Sequence, residues 1–105
     1  LKDLVIRGGE NISCIEVEAA IYEHSDVLEA CIIGVPDERL GEQVASAIYL
    51  KPGVELTQEN IQDFLHGKIA KFKIPFEIRF YKEPLPKIAS GKFDKPKLRK
   101  IFADN

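Results

Sequence analysis

Residues 27–35 are dominated by β-branched and apolar side chains and bounded by turn formers. A run of that composition reads as a largely buried strand. The polar residues 36–42 separate it from a second strand-like run over 43–50, which Lys51-Pro52-Gly53 brings to an end. So short a connection joins antiparallel neighbours, because parallel strands need a crossover of about a dozen residues or more. The chain is therefore built around an antiparallel pair that its remaining segments must extend and cover.

Two segments have the periodicity to cover it. Ser13-Cys14-Ile15-Glu16 has the form of a capping box, so a helix starts at about Cys14 with Val17, Ala20 and Ile21 on one face. Glu16, Glu18 and Glu23 fall mostly on the water side, with the Glu16 carboxylate used in the cap, and the helix stops near His24-Ser25-Asp26. Thr57 caps the next helix, in which Ile61, Phe64, Leu65 and Ile69 recur at i, i+3, i+4 and i+8. Lys68 and Lys71 suit the negative end of its dipole, and Pro75 ends the helical region. Residues 77–81 alternate like a third main strand, and residues 95–102 form a closing helix that packs Leu98, Ile101 and Phe102. At the other end, Leu4-Val5-Ile6 and the Gly8-Gly9 turn lead into Asn11-Ile12 as a hairpin. The expected class is α+β: a small three-stranded sheet with packed helices, an N-terminal two-stranded hairpin and a short C-terminal helix.

A chain of 105 residues, 45% hydrophobic and 30% charged, suits one globular domain with a modest core. Its formal net charge of -2 argues against a dedicated nucleic-acid binder. The charge is unevenly spread, however: acids dominate the first two thirds and lysines crowd residues 68–100, so one face suits an anion. No apolar run is long enough for a transmembrane segment and no signal pattern opens the chain, which fits a cytoplasmic protein. Cys14 and Cys31 match no metal-ligand spacing and read as buried thiols, while His24 and His66 are isolated; no metal site is expected. The sequence has no methionine and opens directly into a strand, which implies a piece cut from a longer protein at a domain boundary.

The stretch with most chemical character runs from Leu85 to Lys95. Pro84 and Pro86 stiffen the approach, Ser90-Gly91 supplies a tight turn, and Lys92 follows at once. Asp94 reads as the N-cap of the closing helix, with Pro96 in its first turn. A lysine held between a turn and a helix start has restricted direction and can be aimed at a phosphate or carboxylate. An isolated Ser-Gly-Lys would more often be a solvated surface loop. The Gly8-Gly9 pair likewise is either an ordinary hairpin turn or bare backbone open to close approach by a ligand.

Taken together, four motifs in order resemble the C-terminal domain of the adenylate-forming superfamily, which comprises acyl-CoA synthetases, adenylation domains of peptide synthetases and luciferases. They are residues 2–12 (Lys2 to Ile12) with Glu16-Val17-Glu18, then Gly34-Val35-Pro36-Asp37-Glu38 with Gly41-Glu42, then Phe72-Lys73-Ile74-Pro75, and last Leu85-Pro86-Lys87 with Ser90-Gly91-Lys92. The match covers essentially all of residues 1–105, and the Arg7-Gly8-Gly9-Glu10-Asn11-Ile12 form looks like fatty-acid and aryl-CoA ligases. The resemblance implies a mobile C-terminal domain whose large N-terminal AMP-binding domain lies outside this chain. It implies a ligase that converts a carboxylic acid, expected to be a fatty acid, and ATP with Mg2+ into an acyl-adenylate, then passes the acyl group to coenzyme A. Lys92 matches the adenylation lysine, Lys2 the hinge position, and Gly8 and Gly9 the loop that faces the site in the thioester step. Phe72 and Lys73 match a segment that lies near the CoA nucleotide in some relatives. Ile74 and Phe76 fall where some relatives carry basic residues for the CoA phosphates, so only Lys73 is assigned there. The isolated fragment is expected to be inactive. Two alternatives remain: an adenylation domain loading a carrier-protein thiol, and a stand-alone interaction module with a basic C-terminal face.

Overall fold

The computed structural model describes residues 3–104. β1 (Leu4–Arg7) and β2 (Glu10–Ser13) form the hairpin, α1 (Cys14–Tyr22) follows, and β3 (Val27–Asp37) and β4 (Gly41–Leu50) are the long central pair. α2 (Gln58–Leu65), a 3-10 turn (Lys71–Lys73), β5 (Glu77–Tyr81) and α3 (Lys95–Ala103) complete the order expected from the sequence.

β4 is the middle strand. β3 pairs with it antiparallel, from Val27 opposite Leu50 to Asp37 opposite Gly41. β5 runs parallel along the other edge, from Ala45 opposite Glu77 to Tyr49 opposite Tyr81, with α2 in the crossover that a parallel pair requires. The hairpin joins at one antiparallel position, Arg7 opposite Gly41, so the three main strands and the hairpin form one mixed sheet.

Both faces of the central pair are covered. Ala30, Ile32, Val44 and Ile48 pack with Val17, Ile21, Ile61 and Leu65 of α1 and α2. The alternate residues Cys31, Ile33, Ala45 and Ala47 pack with Leu85, Leu98 and Phe102. This two-sided burial explains why residues 27–35 read as a nearly continuous apolar run instead of an alternating one. Burial of Leu98 and Phe102 contributes roughly 1.5–3 kcal/mol each, and these side chains hold α3, with the loop before it, against the sheet.

Three local expectations are corrected. α2 ends at Leu65, because His66 leaves helical geometry at ψ 128 and Gly67 takes φ +86. Ile69, Lys68 and Lys71 therefore lie beyond the helix, and Lys68 instead pairs with Glu23 at 3.0 Å above the Phe64 ring. Ser13 Oγ does accept the Glu16 N–H at 3.2 Å, but the Glu16 carboxylate accepts from Lys73 rather than completing the cap. Glu18 does not face water: its side chain is turned to Lys95 and to the open edge of β3.

Candidate active-site lysine and glycine turn

Beyond β5 the chain is pinned at Leu85, which is 2% exposed. The Leu85 N–H donates to Glu29 Oε1 at 2.9 Å, and Lys87 Nζ pairs with Glu29 Oε2 at 2.7 Å while donating to the Leu85 carbonyl. One carboxylate on β3 thus holds the base of the loop. Lys87 and Phe93 then face each other across an antiparallel bridge. Between them Ile88 N–H donates to the Lys92 carbonyl and Gly91 N–H to the Ile88 carbonyl, both at 2.9 Å. Gly91 takes φ +92, a conformation that glycine adopts without strain. Asp94 closes the segment, its N–H donating to the Pro86 carbonyl and its carboxylate accepting the Lys97 N–H at 3.1 Å as the α3 N-cap.

The backbone of Lys92 is held on both sides while its side chain is exposed. Its ammonium takes no part in the six ion pairs among the described residues. The groove in front of it is lined by Ile15, Glu18, Glu29, Lys87, Phe93 and Lys95. Ile15, which lines this groove, is 70% exposed, and Ile88 on the Lys92 loop is 48% exposed, so the cation stands near apolar surface that another surface could cover.

Lys95 is the opposite kind of lysine. Its side chain is only 16% exposed, and its ammonium pairs with Asp3 and, at 3.2 Å, with Glu18. Burial by itself pulls the amine down, but the Asp3 hydrogen bond and the Glu18 charge outweigh it and hold Lys95 above its ordinary value. Neither Asp3, Glu18, Glu29 nor Lys95 was expected to shape the site from the sequence. One signal was available: a lysine at the first position of a helix opposes the dipole and needs a carboxylate partner.

Gly8 and Gly9 close the β1–β2 hairpin with φ +55 and +86, the left-handed pair that a two-residue turn favours. The Gly8 N–H donates to the Leu40 carbonyl at 2.8 Å, and a Cβ on Gly8 would come 2.9 Å from Leu40 Cδ2; Gly9 faces open space. Glu42 docks the hairpin by accepting the Ile6 N–H at 2.8 Å. Its carboxylate lies over Gly34, where a Cβ would come within 2.8 Å, so a side chain at position 34 would displace the Glu42 carboxylate. Asp37 Oδ1 accepts from the Arg39 and Leu40 N–H groups at 2.9 Å each, fixing the loop on which Gly8 rests.

The structure separates Lys92 from the glycine turn. Asp3 sits with Lys95 at the base of the lysine loop, and Gly8 lies five residues further on, just past the end of β1, roughly 16 Å away at ~3.3 Å per residue. Lys73, on the 3-10 turn, pairs with Glu16 of α1 at 2.9 Å, away from both turns in bonding. Phe76 is 46% exposed and Ile74 packs against the main core. Lys2 lies outside the described residues. Cys14 and Cys31 are buried free thiols, both pushed up to about 12 by burial.

A lysine presented this way, on a small mixed sheet with a remote glycine turn, matches known proteins in both sequence and shape. Residues 16–92 match the family model for the AMP-binding enzyme C-terminal domain, and this chain belongs to that family. It is 48% identical over 99 residues to the medium-chain acyl-CoA ligase ACSF2, mitochondrial, of Danio rerio, a match covering 94% of this chain and 16% of that protein. It is 44% identical over 99 residues to the putative acyl-CoA synthetase YngI of Bacillus subtilis, covering 94% of this chain and 18% of that one. The crystal structure of apo MatB from Rhodopseudomonas palustris superposes with a TM-score of 0.92 at 36% identity, over 98% of this chain and 20% of that one. The ATP-bound structure of MatB matches similarly, with a TM-score of 0.89. The chain thus spans about a sixth of the length of these curated relatives.

Proposed function

We propose that this domain is the mobile C-terminal part of an AMP-forming acyl-CoA synthetase, working against a large N-terminal domain of the same polypeptide. The observation that carries the reading is the Lys92 ammonium, exposed and, among the described residues, unpaired, on a turn whose two ends are fixed. ATP with Mg2+, a carboxylic acid and coenzyme A are the substrates, bound mainly by the N-terminal domain. In the first step a carboxylate oxygen bonds to the α-phosphorus and the bond to pyrophosphate breaks. Lys92 lies between the two anions and offsets their repulsion, so its contribution is placement and charge. In the second step the CoA thiol attacks the acyl carbonyl, the thiol proton is lost to solvent and AMP leaves. Here Gly8 and Gly9 offer bare backbone to the pantetheine arm, and Lys73 attracts the nucleotide phosphates in competition with Glu16. The distance between Lys92 and the glycine turn supports two orientations of the domain, with Lys2 as the pivot.

A fatty acid is the acid we favour, since the sequence is similar to a medium-chain ligase, and the cytoplasm is the compartment we favour. Among the described residues no helix is long and apolar enough to cross a membrane. The deciding experiment is ATP–pyrophosphate exchange and CoA-thioester formation by the full-length enzyme over a panel of carboxylic acids, with Lys92→Ala beside wild type. Loss of exchange in the variant supports the assignment. Full exchange in Lys92→Ala overturns it, and exchange without a CoA thioester transfers the reading to a carrier-protein acceptor.

A further inference from the structure

We infer that Lys95 is a positioning residue for adenylation: its ion cluster with Asp3 and Glu18 locks the Lys92 loop to the start of β1, and so aims Lys92. This rests on the proposed role of Lys92. The ammonium of Lys95 is placed where a cation is costly, in a largely buried position at the N-terminus of α3. Two carboxylates from two other elements hold it there. Asp3 precedes β1, and its carbonyl also accepts the Cys14 N–H at 3.1 Å, tying it to α1. Glu18, in the second turn of α1, also accepts the Ile32 N–H at 2.8 Å on the outer edge of β3. One ammonium therefore joins the start of β1, α1, the edge of the sheet and the helix start three residues after Lys92.

The Lys92 side chain has no ion pair of its own among the described residues, so its direction depends on the two ends of the loop. Glu29 and Lys87 fix its incoming strand, and the Lys95 cluster with the Asp94 cap fixes its outgoing one. Without the ammonium, Asp3 and Glu18 face each other as uncompensated like charges, which drives the segment before β1 away from α1, and α3 loses its tie to both. Lys92 then keeps its charge and exposure but loses its aim. The same cluster passes movement of the chain ahead of β1 directly to the loop, so reorientation of the domain carries Lys92 with it as a rigid part.

The test uses the full-length enzyme and both half-reactions. Lys95→Met should lower exchange by about 10- to 10²-fold, the scale of a small misplacement at a reacting group, and leave thioester formation from supplied acyl-adenylate unchanged. In a Lys92→Ala background Lys95→Met should cost nothing more, because it acts through Lys92. Lys95→Arg, which keeps both carboxylate pairs, should recover most of the exchange. If Lys95→Met does not fold, Glu18→Gln takes the same readouts, since it keeps an oxygen for the Ile32 N–H and removes the charge. Equal loss in both half-reactions, or full additivity with Lys92→Ala, overturns the positioning role. Unchanged exchange in Lys92→Ala itself would instead overturn the function on which this inference rests, so the two failures are distinguishable.

Discussion

The lysine loop and the glycine turn are built from the same device and braced differently. Each is a surface turn closed by backbone hydrogen bonds with glycine at positive φ. The lysine loop presents a charge, and it is braced by charges: Glu29 with Lys87 on one side, Asp3 and Glu18 with Lys95 on the other. The glycine turn presents backbone, and it is braced by a carbonyl from Leu40 and the Glu42 carboxylate on the strand behind it. Aiming a charge requires its backbone to be held in orientation, whereas admitting a ligand close to backbone requires only that no Cβ be there. On this basis the two turns should fail separately.

The largest effect expected is at the charge. Lys92→Ala should lower exchange by on the order of 10²–10³, as removal of one well-placed stabilising group does. Thermal stability should be unchanged, because the side chain is exposed and pairs with nothing among the described residues. Single-turnover assays of each half-reaction with a melting curve check this; a fall in both half-reactions would erase the distinction between the turns.

Alkali should disable both turns together, through the core they share. Cys14 and Cys31 stand at about 12 against an ordinary 9.0, and Lys95 is also raised. The folded chain keeps these protons to higher pH than the unfolded chain does. Stability is therefore intact below about pH 9 and falls as pH rises towards 12, by up to about 1.4 kcal/mol per pH unit for each thiol. Urea midpoints of the 105-residue chain taken through this range should fall, with a shallower slope in Cys31→Ala. A flat profile would mean that the thiols titrate alike in both states.

Glu42→Ala should act on one side alone. It removes the acceptor of the Ile6 N–H and empties the space over Gly34, at about 2 kcal/mol for a hydrogen bond to a charged group. Hydrogen exchange should rise in β1 and β2 and stay protected at Ile88 and Gly91, whose bonds are independent of Glu42. Faster exchange in both regions would show that the hairpin and the loop are one cooperative unit.

What could be read from the sequence was whatever is local. Ser13, Thr57 and Asp94 announced the three helix starts because a cap is written within four residues. The strands of the central pair followed from composition and a short connection. The turns that carry Lys92, Gly8 and Gly9 were visible because turn chemistry is also local. The supports of the site were not visible: Glu29 acts on residues 56 and 58 positions away, and Lys95 on residues 92 and 77 positions away. Glu18 was misassigned to water because helical periodicity gives a face but not what packs on it. Its partners, Ile32 N–H and Lys95, come from a strand edge and a distant helix. The parallel placement of β5 likewise depended on which edge of β4 remained open.

The smallest effects give the sharpest separation. Gly9 and Gly91 take φ +86 and +92, and a Cβ at either would meet nothing within 4 Å. Alanine at each is therefore opposed by backbone strain alone. That strain costs roughly 1–2 kcal/mol, lessened by the reduced freedom of the unfolded chain, for a net loss of about 1 kcal/mol at both. Matched in stability, the two variants should differ in chemistry: Gly91→Ala slows exchange by twisting the turn before Lys92, and Gly9→Ala slows thioester formation. D-alanine, which favours positive φ, then separates conformation from bulk. At position 91 it should restore stability and exchange, because glycine there serves only the turn. At position 9 it should restore stability and still slow thioester formation, as the proposed use of the missing side chain at Gly9 in the second step requires. Recovery of both functions by D-alanine would make the two glycines equivalent and leave Lys92 as the only chemical difference between the turns.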